Sequence, residues 1–136
     1  MKILVIDGQG GKIGKMLVEN LKKNLPEYEI IALGTNSIAT ATMLKAGADF
    51  GATGENPVIV NCIDADIIIG PLGIIISNAL LGEITPPMAA AISQSKAQKV
   101  LVPINRCNIF VAGVEALPLN DYVQLAVQQV KQIIEG

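Results

Sequence analysis

Between Asp7 and Met16 the chain reads DGQGGKIGKM, with glycine at 8, 10, 11 and 14 and lysine at 12 and 15. Glycines this dense serve a backbone that must take positive φ or come close to another group. At such a loop that group is most often a phosphate, because free N–H groups and the positive end of a following helix both favour an anion. Three spacings can be tested. G-x-G-x-x-G fits Gly8 and Gly10 but meets Ile13 at its third position. The triphosphate pattern G-x-x-x-x-G-K-[ST] finds Gly14 and Lys15, yet Gln9 replaces its first glycine and Met16 its magnesium-holding hydroxyl, which argues against a nucleoside triphosphatase. G-x-x-G-x-x-G fits in full, at Gly8, Gly11 and Gly14.

The stretch VIDGQGGKIG resembles the VTGATGFIG type of opening in extended and atypical short-chain dehydrogenase/reductases, with Ile13 at the matching isoleucine. The resemblance implies a dinucleotide whose pyrophosphate is cradled by Gly8, Gln9, Gly10, Gly11, Lys12, Ile13 and Gly14. The competing reading is a turn whose glycines only let strand and helix pack closely. Asp7 opposes the cradle, since a carboxylate there repels a pyrophosphate unless it accepts from loop N–H groups or pairs with a cation.

The tip of the next apolar run refines the ligand. NAD-binding domains place an acid there to hold the ribose 2′-hydroxyl. This chain has no acid between Ile30 and Ala48, and the tip reads Gly34, Thr35, Asn36, Ser37. Thr35, Asn36 and Ser37, with Lys12, suit a 2′-phosphate, so NADP(H) is expected ahead of NAD(H). A plain helix cap explains the same three residues equally well.

Two further loops carry possible chemistry. Gly70, Pro71 and Leu72 stand where a dinucleotide domain lets the backbone pass along its cofactor, or where a tight turn precedes a helix. Arg106 is the single arginine of the chain and follows Asn105. Together they offer a grip on a carboxylate or phosphate, or a salt bridge across an oligomer contact. Cys62 and Cys107 form no CxxC pair and read first as small buried residues. With no histidine, Ser-His and Cys-His catalysis and histidine metal sites are excluded, and no metal ligand set is expected. Neither Tyr28 nor Tyr122 has a lysine four residues on, so the Tyr-x-x-x-Lys pair of short-chain reductases is missing.

These residues need a frame. Strands are expected over Lys2–Asp7, Glu29–Gly34, within ADFGATG, over Ala65–Gly70 and over Lys99–Ile104, with one more near Ile109–Val114. Helices are expected over Gly11–Leu25, from Asn36 or Ser37 to Gly47, Pro57–Ile63, Ile74–Leu81, Pro86–Ser93 and Leu119–Ile134. Alternation of this kind predicts an α/β fold, a Rossmann-like sandwich on a mainly parallel sheet, with residues 1–136 as a single domain.

The composition agrees. Hydrophobic residues make up 51% and aromatics 3% of 136 residues, as suits strands covered on both faces, and the apolar surplus predicts a homo-oligomer. A net charge of −2 lacks the basic footprint of a nucleic-acid binder. The stretch Ile67–Ile84 is too interrupted by glycine, proline and polar residues to span a membrane. A reducing, cytoplasmic setting is expected.

Taken together, VIDGQGGKIGK, ALGTNSIAT, DIIIGPLGIIISNALLGEITPPMA and VPINRCN resemble a small bacterial family of about this length, a domain of unknown function. The expected function is nucleotide-cofactor binding at the glycine loop. The competing class is a non-catalytic sensor or subunit for a nucleotide or anion, and a third is a reductase completed by a partner.

Overall fold

The computed structural model describes residues 1–104 and 108–136. Its strands are β1 (Ile3–Asp7), β2 (Ile30–Gly34), β3 (Phe50–Thr53), β4 (Ile67–Pro71) and β5 (Gln98–Val102). The helices are α1 (Lys12–Asn24), α2 (Ser37–Lys45), α3 (Glu55–Cys62), α4 (Pro86–Gln94) and α5 (Leu119–Glu135). One sheet runs in the order β3-β2-β1-β4-β5, and every neighbouring pair is parallel. The expected Rossmann-like sandwich is therefore present. Among the described residues no helix is long and apolar enough to cross a membrane.

Alternation along each strand divides the core. Ile3, Val5, Ile30, Ala32, Ile67 and Ile69 pack under α1, α2 and α5, while Leu4, Ile6, Leu33 and Ile68 pack under α3 and α4. The four residues of α1 that grip the sheet, Ile13, Leu17, Val18 and Leu21, recur at helical spacing and are buried. Asn36 caps α2, accepting the Ala39 N–H at 2.9 Å, and Thr85 caps α4 just before Pro86. Both caps hold their helix starts at the sheet's carboxyl edge, where the glycine loop lies.

Four expectations need correction. β4 holds Gly70, as the strand expected over Ala65–Gly70 has it, and takes in Pro71 as well, so the turn expected from Gly70 begins only at Leu72, as a short 3-10 turn, Leu72–Ile75. The reason for Gly70 is steric: a Cβ there would collide with the Ile6 carbonyl oxygen of the neighbouring strand. The helix expected over Ile74–Leu81 is replaced after Ile75 by a closed loop with positive φ at Asn78, Leu80, Leu81 and Gly82. No strand forms at Ile109–Val114. The Val114 N–H bonds back to Val111, Gly113 takes a positive φ, and Ile109, Phe110, Val111 and Val114 stay exposed. Finally, α3 begins at Glu55, two residues before the expected start at Pro57.

Candidate anion-binding site at the glycine loop

The first strand delivers Asp7 to the loop buried, at 3% exposure. Its Oδ1 accepts the Gly8 N–H at 2.8 Å and its Oδ2 the Gly14 N–H at 2.7 Å. Burial pushes the Asp7 carboxyl above its ordinary range and the nearby Glu83 adds to that, while the N–H groups of Gly14 and Gly8 pull it back. Asp7 thus ties the loop to itself from inside, one of the two escapes open to it from sequence.

The glycines divide by task. At Gly14 a Cβ would meet Met43 and the Asp7 side chain within 3 Å, and at Gly8 it would meet Thr35, Leu80 and Glu83 within 3 Å. Gly11 has φ +76°, and its Cβ would lie 3.0 Å from the Ala39 Cα. These three glycines, the full G-x-x-G-x-x-G set, are demanded by packing and backbone conformation. Gly10 differs: among the described residues a Cβ there would meet nothing within 4 Å.

The loop borders a cleft of about 250 Å³ lined by Asp7 through Ile13, Ile104 and Leu119. It lies where α1 and α5 both begin. The loop's N–H groups are unevenly used. Gly8 and Gly14 donate to Asp7, Gln9 to Glu83 and Gly11 to the Gly8 carbonyl. Among the described residues no hydrogen-bond partner meets the N–H groups of Gly10 and Lys12, while the Ile13 N–H joins those of Gly8 and Gly14 in lowering the Asp7 carboxyl. The Lys12 side chain is exposed at the same rim. Unspent N–H groups at the start of a 13-residue helix, beside a lysine, can receive an anion.

The tip of β2 is not the neutral donor set expected from sequence. Glu83, carried by the loop after β4, lays Oε1 against the Thr35 hydroxyl (2.5 Å), the Gln9 N–H (2.8 Å) and the Asn36 Nδ2 (3.0 Å). Asn36 also donates to the Gln9 carbonyl. Burial alone would raise the Glu83 carboxyl, but the donors Thr35, Gln9 and Asn36 outweigh it and hold the group below its ordinary value. Ser37 is exposed as the first residue of α2. Thr35 and Asn36 are therefore committed to a carboxylate, and a 2′-phosphate would face its charge. Gly70, Pro71 and Leu72 do not line the cleft. Asn105, Arg106 and Cys107 lie outside the described residues. Sequence reasoning missed Glu83, because its partners stand 47 to 74 residues away.

No curated protein matches the chain. Among solved structures, a dodecameric FMN-dependent UbiX-like decarboxylase from Escherichia coli O157:H7 is similar, with 20% identity and a TM-score of 0.48 over 96% of this chain and 76% of that one. The fold assignment rests on the strand order itself. Residues 2–135 match the domain of unknown function DUF3842, and the chain belongs to that family.

Proposed function

We propose that the chain binds a small phosphate monoester, of the mononucleotide class, in the cleft between the starts of α1 and α5. The observation that carries this reading is the pair of N–H groups at Gly10 and Lys12, which no described residue receives, beside the cleft. One phosphate needs about that many donors, and Lys12 supplies a positive charge at the rim. A volume of about 250 Å³ takes a phosphate and its sugar, leaving the base at the mouth.

This changes the ligand expected from sequence. A dinucleotide lying along the sheet edge would send its second half past Gly8 toward the β2 tip. Leu80 and Glu83 stand against Gly8 there. NADP(H) is the least favoured ligand, because its 2′-phosphate would approach Glu83; NAD(H) meets the same obstruction without that charge. No reaction is assigned. In the expected homo-oligomer, Ile38, Leu81 and Phe110, each more than 60% exposed, are residues that the contact between copies would cover.

Thermal unfolding tests the reading. AMP and FMN share the phosphate monoester and differ in their rings, so both should stabilise the protein. At 100 times the dissociation constant the gain is about 2.7 kcal/mol, several degrees in melting temperature. NADH and NADPH should stabilise it less. Absence of a shift with AMP and FMN at millimolar concentration, or a larger one with NADPH, would overturn it.

A further inference from the structure

The loop after β4 gives Glu83 a second meaning. Three donors from two loops, the Gln9 N–H of the glycine loop and the Thr35 hydroxyl and Asn36 amide of the β2 tip, converge on one carboxylate oxygen. Such a convergence is how proteins hold an oxyanion of a ligand. Here the oxyanion belongs to the chain itself.

The way Glu83 is held says what this arrangement does. Leu80 and Ile84 flank it and are buried, at 5% and 0% exposure. The loop closes on itself through bonds from the N–H groups of Asn78, Gly82, Glu83 and Ile84 to the carbonyls of Ile84, Asn78, Leu80 and Ala79. Asn78, Leu80 and Leu81 accept positive φ to make that closure. Non-glycine residues rarely take that conformation, which persists only when its surroundings fix it. Glu83 is thus a built-in occupant held from both sides.

We infer that the β2 tip is a second anion subsite, permanently filled by Glu83, and that Glu83 determines specificity. It restricts the chain to ligands whose only anionic group is the phosphate in the cleft, and it rejects those with a second phosphate directed at Thr35 and Asn36. The inference depends on the donors at the β2 tip. It uses the cleft reading only to name what is admitted.

The test is a titration of inorganic phosphate followed by ¹⁵N amide spectra, on the wild type and on Glu83→Ala. In the wild type, phosphate should move the Gly10, Lys12 and Ile13 signals and leave Gln9 and the Asn36 side-chain amide still. In Glu83→Ala, Gln9 and Asn36 should titrate as well, at least tenfold more tightly than any response they show in the wild type. Unresponsive Gln9 and Asn36 in a folded Glu83→Ala protein would overturn the subsite. Unresponsive Gly10 and Lys12 in both proteins would instead overturn the cleft reading and leave the subsite standing. Glu83→Ser also vacates the subsite and repeats the test should alanine loosen the loop; its Gln9 and Asn36 signals should titrate, and their silence there counts equally against the subsite.

Discussion

Asp7 Oδ2 accepts the Gly14 N–H at 2.7 Å, so the acid that ends the first strand is bonded into the turn of the glycine loop and touches α1. A carboxylate that looks repulsive to a phosphate in sequence is therefore a structural brace, and the proposed anion site is displaced along the loop to the N–H groups of Gly10 and Lys12. The consequences can be measured.

Replacing Asp7 with Asn should weaken the fold and strengthen anion binding. The amide oxygen can accept one of the two N–H groups, and its NH₂ must face the other, a buried mismatch worth about 1–3 kcal/mol. Removing the charge should tighten inorganic phosphate binding. Denaturant unfolding and phosphate titration of the one variant should thus move in opposite directions, and a variant that loses both would contradict the account.

The same carboxyl sets a pH dependence. Its folded value is raised, chiefly by burial, so its favourable contribution is complete below the unfolded value of about 4 and is lost as pH rises through the folded value. The stability of the wild type relative to Asp7→Asn should therefore fall as pH climbs from about 3 through the mildly acidic range. Paired denaturant curves across that range check the sign.

Glu83 should behave in the opposite sense. Its folded value is lowered despite burial, because Thr35, Gln9 and Asn36 favour the charged form. The wild type should exceed Glu83→Gln in stability above pH of about 5, and the difference should shrink as pH falls through the folded value. A difference that grew on acidification would count against the hydrogen bonds described.

Gly10 and Gly11 are adjacent and should respond differently. Gly11→Ala places a Cβ at φ +76° and 3.0 Å from the Ala39 Cα, so it should cost at least about 1–2 kcal/mol. Gly10→Ala meets none of the described residues within 4 Å and should stay within about 0.5 kcal/mol of wild type while weakening phosphate binding. Thermal unfolding with and without phosphate separates the two effects. A bulky residue at 11 would not report on a cradle, because it breaks the packing of α1 on α2 first.

Cys62 should be inert as a nucleophile. Burial pushes its thiol up to about 11, only partly opposed by Lys2 and Lys99, and it lines an apolar groove of about 470 Å³ between α3 and α4. At pH 8 its reaction with a disulfide reagent should run at least about tenfold slower than that of a free thiol near pKa 8.5. Unfolding should restore the rate.

Much of this was legible from the chain. The run Ile3–Ile6, the helical spacing of Ile13, Leu17 and Leu21, and Pro86 after Thr85 each state their element locally, and the structure follows them. The exceptions share a cause. Ile74–Leu81 has the composition of a helix, but Leu80 and Ile84 find their burial only if the chain turns through positive φ, so tertiary packing overrides propensity. Gly70 ends its expected strand, but the turn expected from it comes later, and its requirement for glycine comes from the Ile6 carbonyl on another strand. Glu83 is the largest omission at the site. Nothing within its own stretch signals that it closes on Gln9, Thr35 and Asn36. Gly8, Gly11 and Gly14 each have crowded surroundings that a Cβ would invade, which is the packing requirement that the sequence left open beside the cradle.

The central claim is that one phosphate sits on the N–H groups that begin α1. Amide spectra recorded as AMP is added to the wild-type protein test it most directly. The account predicts that Gly10, Lys12 and Ile13 shift first and furthest, with Leu119 across the cleft following and Gln9 unmoved. Shifts centred on Thr35 and Asn36, or on the α3–α4 groove, or an unchanged spectrum at millimolar AMP, would contradict it.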